Sequence, residues 1–475
     1  MITFKRIAFI LCSAALIHLL AIQFFGPYVS ITGAARVQMN YFSELKVLSD
    51  VLKVVQAKYV EEEISKDKKA LIEGGIEGIL KKLDDPFTRY MPPATFKSMQ
   101  EETDGEFGGL GILLGVRDNL LTIISPMEGT PAFRVGVRAG DKIAKINGQS
   151  TEGMSVQQAV KILRGKPKTE VTISIIREGE KALIDYTIVR DLIKVPSVKA
   201  GRINKDIAYA RLTGFVQTSG KDLRKELDQI AEKSDIKGLI LDLRGNPGGL
   251  LSAAVEVAQV FLERMKTVVS IKEREGEPTI FSSKAYEPIN WPLVVLIDGG
   301  SASASEIVAG AIKDHNRGIL MGTKSFGKGS VQTVLPLQDG SALALTTAYY
   351  YTPADIKIHK KGIVPDIEVA FPKLTNEQLK EYRDELERIA NQGYEQTRRK
   401  QEEYLHEDHS NSPSTTSTSM TTITTNSLES EAPTPTSTSE FIAIPKFDVQ
   451  LERAVDVLKA SSIFMKLHDS PTGNQ

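Results

Sequence analysis

The apolar residues of this chain recur with two different periods, which predict both helices and strands. Residues 48–60 and 70–83 carry apolar side chains at intervals of three and four, as amphipathic helices do. Gly238–Asp242 and Leu293–Ile297 are short apolar runs that end in glycine-containing turns, so they predict buried strands. A helix-forming stretch follows each of these runs. Strands and helices in this alternation predict an α/β core.

A block of shorter strands is predicted between residues 104 and 190. Asn147-Gly148 is a strong signal for a two-residue hairpin turn. Residues 155–163 have helical spacing, and residues 171–179 return to the alternation of a strand. The pattern therefore predicts a β-rich module distinct from the α/β core.

The N-terminus resembles an export signal. Lys5 and Arg6 precede a nearly continuous apolar run at 7–25, which is also long enough to span a bilayer. We interpret residues 1–35 as a signal peptide or an uncleaved signal anchor. The rest of the chain is then expected outside the cytoplasm, periplasmic or membrane-anchored, with membrane contact through the N-terminal segment.

The C-terminal part changes composition twice. Residues 376–405 predict a charged helix. Residues 406–440 are rich in Ser, Thr and Pro with few large apolar residues, so we expect a disordered linker. The remaining segment, 441–475, contains a short helical pattern at 451–458.

Composition excludes several classes of function. The chain has 475 residues, 41% of them hydrophobic and 25% charged, which is enough for two or three globular domains. Its formal net charge is −1 and it has no basic block, so we expect no nucleic-acid partner. Cys12 is the only cysteine, and no metal-ligand motif occurs. We therefore expect no disulfide, no metal and no cofactor.

The candidate chemistry lies where the run 293–297 meets the next helix. Ser301, Ser303 and Ser305 occur there, and a serine at such a turn directs its own and the next backbone N–H toward an anion. That arrangement suits a hydroxyl whose attack creates an oxyanion. Of the six histidines, His18 lies in the N-terminal apolar run, and His406, His409 and His468 lie in or beyond the C-terminal low-complexity region. Only His315 and His359 remain near these serines, and neither is marked by its pattern as a member of a catalytic triad. A lysine can replace histidine if burial lowers its pKa from ~10.4 to about 7–8.

The stretch GSASASEIVAGAIKD followed by SFGKGSVQ resembles the signature of the C-terminal processing peptidases, tail-specific serine proteases with a Ser–Lys dyad. The resemblance covers about residues 40–375, with a weaker one at 447–460. It implies the following site: the nucleophile Ser303, the base Lys328, Gln332 as the group that orients the lysine, and the backbone N–H groups of Ala304 and Gly249 as the oxyanion hole.

The same resemblance implies the domain organisation. Residues 36–100 form an N-terminal helical region that caps or dimerises the protease, 101–192 a PDZ domain, and 193–375 a protease core with a crotonase-like fold. In a PDZ domain the loop made here by Gly109, Leu110, Gly111 and Ile112 binds a peptide's C-terminal carboxylate, and the edge strand pairs with the peptide. Arg164 is the residue expected to couple peptide binding to the catalytic domain.

The sequence thus predicts an exported serine endopeptidase that cuts proteins near apolar, unstructured C-termini. Its expected partners are protein substrates with exposed C-terminal tails; an adaptor protein and a homo-oligomer remain open. Two other classes compete with this prediction. One is a catalytically inactive PDZ adaptor, against which the intact Ser303 and Lys328 argue. The other is an acyl-thioester enzyme on a crotonase-like core, which would normally need a carboxylate acid/base.

Overall fold

The structure is a computed structural model that describes residues 41–117, 119–284, 287–409 and 441–469. The predicted signal segment, 1–35, lies outside the described residues, as does most of the predicted linker, 410–440. None of the described helices is both long and apolar enough to cross a membrane.

The chain divides into two compact units at Ile79. The described part of the first unit is helical, with α1 (Tyr41–Lys58), α2 (Glu62–Lys66) and the start of α3 (Lys68–Lys81). The helices predicted at 48–60 and 70–83 are therefore present with shifted ends.

The second unit begins with a short strand, a helix and the β-rich module. In chain order the elements are β1 (Arg89–Met91), α4 (Pro93–Asp104), β2 (Glu106–Gly109), β3 (Ile112–Arg117), β4 (Leu120–Pro126), α5 (Pro131–Arg134), β5 (Lys142–Ile146), β6 (Gln149–Ser150), α6 (Val156–Leu163), β7 (Glu170–Ile176), β8 (Ile184–Val189) and β9 (Asp191–Lys194). The main sheet of the module has the order β3-β4-β5-β7-β8, with β6 on β5, and β2 pairs with β9. The hairpin turn at Asn147 and Gly148 is confirmed, with φ of 50° and 79°.

The α/β core follows. Its elements are β10 (Val198–Arg202), β11 (Ile207–Leu212), α7 (Ser219–Lys233), β12 (Gly238–Asp242), α8 (Leu251–Gln259), β13 (Thr267–Glu273), β14 (Thr279–Ser282), β15 (Leu293–Ile297), α9 (Ala304–Asp314), β16 (Ile319–Gly322), β17 (Ser330–Pro336), β18 (Ala342–Tyr351) and β19 (Ile367–Glu368). Two helices complete the described chain, α10 (Asn376–His409) and α11 (Val449–Asp469).

A mostly parallel sheet forms the centre of the core, in the order β10-β11-β12-β15-β16-β19. Both faces are covered, which explains the continuous apolar runs of its strands. Leu239 and Leu241 of β12 pack with α7, α8 and α9, whereas Ile240 between them packs with α11. The helix predicted at 451–458 is thus the part of α11 that closes the second face of the sheet.

A second sheet is built around the long strand β18, which pairs with β1, β13 and β17. Because β1 belongs to this sheet, the region 36–100 that was predicted to be helical also contains a strand at residues 89–91. Arg89 lies opposite Ala344 and Met91 opposite Ala342, and all these contacts are distant in sequence. Three residues are too few to show the period of a strand, so no local pattern announces β1.

Helix α10 connects the core with the β-rich module. It is 34 residues long and continues to His409, past the predicted end at 405. Near its C-terminal end the buried amide nitrogen of Gln401 donates to the carbonyls of Phe133 and Val137, at 2.7 and 2.9 Å. The helix therefore contacts the segment of the module around α5.

Candidate active site

Ser303 lies between strand β15 and helix α9 with a strained backbone. Its φ of 54° and ψ of −111° fall in a region that residues with a side chain rarely adopt. Such a conformation costs about 1–3 kcal/mol and persists only where the surrounding contacts enforce it. Strain of this kind at a strand-to-helix turn supports a functional role for Ser303.

The two neighbouring serines are occupied by structural hydrogen bonds. Ser301 and Ser305 are both 0% exposed. The Ser301 hydroxyl donates to the Leu243 carbonyl at 2.8 Å, and the Ser305 hydroxyl donates to the Asn246 carbonyl at 2.9 Å. Ser303 alone of the three is partly exposed, so only its hydroxyl can be reached by a substrate.

The carboxylate of Glu306 joins the candidate nucleophile to the candidate base. It is 0% exposed. Its Oε2 atom accepts the backbone N–H of Ser303 at 2.9 Å and that of Lys328 at 2.8 Å. Its Oε1 atom accepts the Ser325 hydroxyl at 2.5 Å and the Gly327 N–H at 2.7 Å. One side chain thus holds the helix start and the lysine loop side by side.

Sequence reasoning did not identify Glu306 as a site residue. The signal was available, because Ser-x-x-Glu ahead of an apolar helix is a capping pattern in which the glutamate reaches back to the serine N–H. The Ser303 N–H was predicted to point at the anion formed by the substrate. It donates instead to the Glu306 carboxylate, so that prediction was wrong. Burial raises the pKa of Glu306, its four hydrogen bonds oppose this, and the net direction is upward.

The surroundings of Lys328 favour the neutral form of its amino group. Its pKa lies below the ordinary 10.5, chiefly because burial disfavours the charged ammonium, with the charge of Arg89 acting in the same direction. Glu306 opposes both effects. The ammonium nitrogen lies 5.1 Å from the centre of the Phe87 ring.

No hydrogen bond links Ser303 Oγ to Lys328 Nζ within the described residues. The shared carboxylate oxygen of Glu306 nevertheless places the two backbones next to each other. Catalytic hydrogen bonds are often longer without substrate and shorten when it binds. Proton transfer between these two residues therefore stays a prediction.

Gln332 lies on β17 at a bulge, where the pairing with β18 shifts between Val331 and Gln332. Its amide nitrogen donates to the hydroxyls of Ser330 and Thr346, at 2.9 and 3.2 Å. The described hydrogen bonds include none from Gln332 to Lys328, so its orienting role also stays a prediction. Its amide oxygen is the group that could accept from the lysine.

The glycine turn after β12 approaches Ser303 closely. A Cβ atom at Gly248 would lie 2.8 Å from Ser303 Cβ and 3.0 Å from Ala304 N, so this contact requires glycine. The Gly248 N–H donates to the side-chain oxygen of Asn246 at 2.9 Å. Gly248 therefore has no N–H to offer an oxyanion, which favours its neighbour Gly249.

The two predicted oxyanion donors have free N–H groups. Phe215 bonds to the carbonyl of Gly248 and the N–H of Leu250, at 3.0 and 2.8 Å, which turns the Gly249 N–H away from that strand. No acceptor for the N–H of Gly249 or of Ala304 occurs in the described part of the chain. Both groups are therefore available to a ligand beside Ser303.

Ion pairs of Arg244 connect the C-terminal segment with this glycine turn. Arg244 bonds to Asp242 at 2.7 Å through Nη2 and to Asp448 at 2.7 Å through Nη1. Burial raises the pKa of Asp242, but the hydrogen bonds and charge of Arg244 outweigh it, and the pKa lies below the ordinary value. Asp448, beyond the predicted linker, therefore helps to fix the loop that carries Gly249.

In the β-rich module the loop predicted to bind a peptide carboxylate lies between β2 and β3. The Gly111 carbonyl accepts the Met127 N–H at 2.7 Å and the Thr130 hydroxyl at 3.1 Å, and the Leu110 carbonyl accepts the Ala132 N–H at 3.0 Å. With the carbonyls fixed in this way, the N–H groups of Leu110 and Gly111 have no acceptor among the described residues. The neighbouring residues Gly109 and Ile112 end β2 and begin the edge strand β3.

Arg164 follows helix α6 and contacts the strand that leads into this loop. Its guanidinium lies 4.1 Å from the centre of the Phe107 ring, and Nη1 is 4.0 Å from a carboxylate oxygen of Glu101 in α4. The side chain thus has defined partners in β2 and α4. Within the described residues no group of His, Cys, Asp or Glu is arranged to hold a metal ion.

Comparison with known families gives three matches along the chain. The family described as peptidase family S41 matches residues 206–369, the PDZ domain matches 98–176, and the family described as the activating protease CtpB N-terminal domain matches 28–95.

Similar proteins include a carboxy-terminal-processing protease of Bartonella bacilliformis, 44% identical over 339 residues that make up 70% of this chain and 77% of the relative. The carboxy-terminal processing protease CtpA of Bacillus subtilis is 37% identical over 306 residues, covering 64% of this chain and 65% of the relative. Among solved structures, a photosystem II D1 C-terminal processing protease is 29% identical, covers 70% of this chain and 95% of its own, and has a TM-score of 0.42.

Proposed function

The chain belongs to peptidase family S41 and is a serine-type C-terminal processing endopeptidase with a PDZ domain, and from that premise we propose that Ser303 and Lys328 form its catalytic dyad. The observation that carries the proposal is the buried Glu306 carboxylate, whose single oxygen Oε2 accepts both backbone N–H groups. The strained backbone of Ser303 and the lowered pKa of Lys328 support it independently.

In the proposed mechanism Ser303 Oγ attacks the peptide carbonyl while neutral Lys328 Nζ takes its proton. The negative charge on the carbonyl oxygen is stabilised by the N–H groups of Ala304 and Gly249. The lysine ammonium then gives the proton to the leaving amine, and the C–N bond breaks. Lys328 next takes a proton from the attacking water and returns it to Ser303 Oγ as the bond between the acyl carbon and Oγ breaks. Gln332 orients the lysine through its amide oxygen.

We propose that the PDZ domain receives apolar, unstructured C-terminal tails. Free N–H groups at Leu110 and Gly111 suit a terminal carboxylate, and β3 is an edge strand to which an extended peptide can add. Leu113 of β3 is 53% exposed, which supports an apolar contact for the tail. An adaptor that presents such tails, and assembly into a homo-oligomer, are part of the same proposal.

We further propose that the core has a crotonase-like fold, supported by its parallel sheet with helices on both faces. Export to the periplasm or the outer side of the membrane is proposed from Lys5, Arg6 and the apolar run at 7–25. The alternative of an inactive adaptor is not favoured, because the similar proteins carry the name of proteases.

The dyad is tested by cleavage of an unfolded protein substrate, with mass spectrometry of the released peptides. Ser303→Ala and Lys328→Ala should each lower kcat by at least about a thousandfold, and the double variant should be no worse, because the two residues act as one unit. Lys324→Ala, an exposed lysine in the same loop, is the matched control and should cleave like the parent. Retained cleavage in Ser303→Ala or Lys328→Ala would refute the proposal.

A further inference from the structure

A segment ahead of the PDZ domain reaches the active site. The Asp85 carboxylate accepts the Phe87 N–H at 3.1 Å and the Thr88 hydroxyl at 2.6 Å. The Thr88 hydroxyl oxygen in turn accepts the Thr346 N–H of β18 at 3.1 Å. These bonds, followed by the pairing of β1 with β18, fix the backbone on both sides of Phe87.

The aromatic ring of Phe87 lies beside the amino group of Lys328. Its centre lies 5.1 Å from Lys328 Nζ. His359 meets the same ring edge-on, with centroids 6.5 Å apart, and packs against Tyr349 at 5.0 Å. A Cβ atom at Gly329 would lie 2.2 Å from the His359 backbone nitrogen, so glycine is needed for the lysine loop to come this close.

The charges facing Lys328 act in opposite directions. Glu306 favours the ammonium and Arg89 opposes it. Asp85 is hydrogen-bonded next to Phe87. Burial, followed by the charges of Lys357 and Lys360, lowers the pKa of His359, while Asp85 opposes this. The protonation state of Lys328 therefore depends on how far its amino group is shielded from water.

An aromatic ring has two effects on a nearby ammonium. Its π face attracts the cation by about 0.5–1 kcal/mol at exposed sites and by about 2 kcal/mol or more where water is excluded, which favours the charged lysine. Its volume displaces water, which disfavours the charged lysine, and burial can lower a lysine pKa by up to about 3–5 units. Since one pKa unit corresponds to about 1.4 kcal/mol, displacement of water is the larger effect.

We propose that Phe87 is a positioning residue of the active site, whose ring excludes water from the amino group of Lys328 so that the segment preceding the PDZ domain completes the environment of the base. This inference rests on the proposed Ser303–Lys328 dyad. By this inference, residues 85–89 influence catalysis in addition to holding β1 in the sheet.

The test is the pH dependence of kcat/KM for peptide cleavage between about pH 6.5 and 10 in the full chain, with three variants. In Phe87→Ala the apparent pKa of the acid limb should rise by about one unit, giving about tenfold lower kcat/KM at neutral pH that recovers at alkaline pH. Phe87→Leu keeps an apolar volume without the π face, so its pKa should equal the parent value or lie below it. The control, Phe371→Ala, removes a ring that is 41% exposed and packs on Tyr382; its profile should not change.

An unshifted acid limb in Phe87→Ala, or a pure increase in KM, would overturn the inference, because the ring would then act only on substrate or fold. If Phe87→Ala does not fold, Phe87→Gln replaces it, and its polar amide should raise the apparent pKa of the acid limb in the same way. An unshifted acid limb in Phe87→Gln would equally overturn the inference. Failure of the dyad itself is distinguishable, because Lys328→Ala would then retain cleavage whatever the Phe87 variants do.

Discussion

Replacing Glu306 by glutamine tests whether one buried carboxylate holds the catalytic geometry. The amide has nearly the same shape, but one oxygen becomes an NH₂ group. Each oxygen of Glu306 accepts two donors, at 2.5–2.9 Å. In place of Oε1, the NH₂ group meets the Gly327 N–H and the Ser325 hydroxyl, and only the hydroxyl can rotate to accept from it. If the amide nitrogen replaces Oε2, the donors that lose their acceptor are the N–H groups of Ser303 and Lys328.

The magnitude follows from these lost acceptors. A buried donor without an acceptor costs about 1–3 kcal/mol, so one such donor at Oε1 or two at Oε2 cost roughly 1–6 kcal/mol. That is a large part of the 5–15 kcal/mol that stabilises a typical domain. A displacement of about 1 Å in the reacting groups can cost roughly a hundredfold in rate. We therefore expect Glu306→Gln to lower the free energy of unfolding and to reduce kcat about a hundredfold or more.

The assay combines denaturant unfolding with peptide cleavage. Glu226→Gln is the matched control, since its buried Oε2 atom has no hydrogen-bond partner and burial raises its pKa; this variant should keep the kcat of the parent, and its free energy of unfolding should not fall. Parent-like stability and kcat in Glu306→Gln would show that the carboxylate is incidental and would remove the observation on which the proposed dyad depends.

Three further outcomes are expected. Ser301→Ala should lower the free energy of unfolding by about 1 kcal/mol yet keep reaction with a fluorophosphonate probe; loss of labelling at unchanged stability would assign it a chemical role. Arg244 holds the pKa of Asp242 below its usual 3.8 despite burial, so this aspartate stabilises the fold above pH 3.8. Its contribution should be lost as the pH falls through the lowered pKa. Asp242→Asn should show no such loss. Equal acid denaturation curves for the two proteins would contradict this. Arg164→Ala should change turnover of a substrate with an apolar tail by at least about fivefold, while labelling of Ser303 by a small probe changes less; equal turnover across substrates with and without such a tail would reduce the PDZ domain to a tether.

Much of the fold was predictable because its signals are local. The strands Gly238–Asp242 and Leu293–Ile297 are continuous apolar runs of a sheet covered on both faces, and the structure has them with the predicted bounds. The hairpin at Asn147-Gly148 follows from turn chemistry within two residues. The candidate nucleophile and base were identified from the resemblance, and only the structure shows that Ser301 and Ser305 are occupied.

The residues that sequence reasoning missed act across long separations. Phe87 and Asp448 approach the site only after β1 and α11 have packed, and nothing in their own neighbourhoods indicates a partner there. Glu306 is different, because Ser-x-x-Glu is a recognisable capping pattern. Its second role, accepting the N–H of Lys328, depends on how the loop after β16 folds back, which no local pattern specifies.

The central claim is that Ser303 is a nucleophile activated by Lys328. The most direct measurement is the reaction of the full chain with a fluorophosphonate probe, followed by peptide mass spectrometry to locate the adduct. We predict one adduct, on Ser303, which disappears in Ser303→Ala and forms far more slowly in Lys328→Ala, while Lys324→Ala reacts like the parent. An adduct on another serine, or equal labelling rates in the parent and Lys328→Ala, would contradict the account.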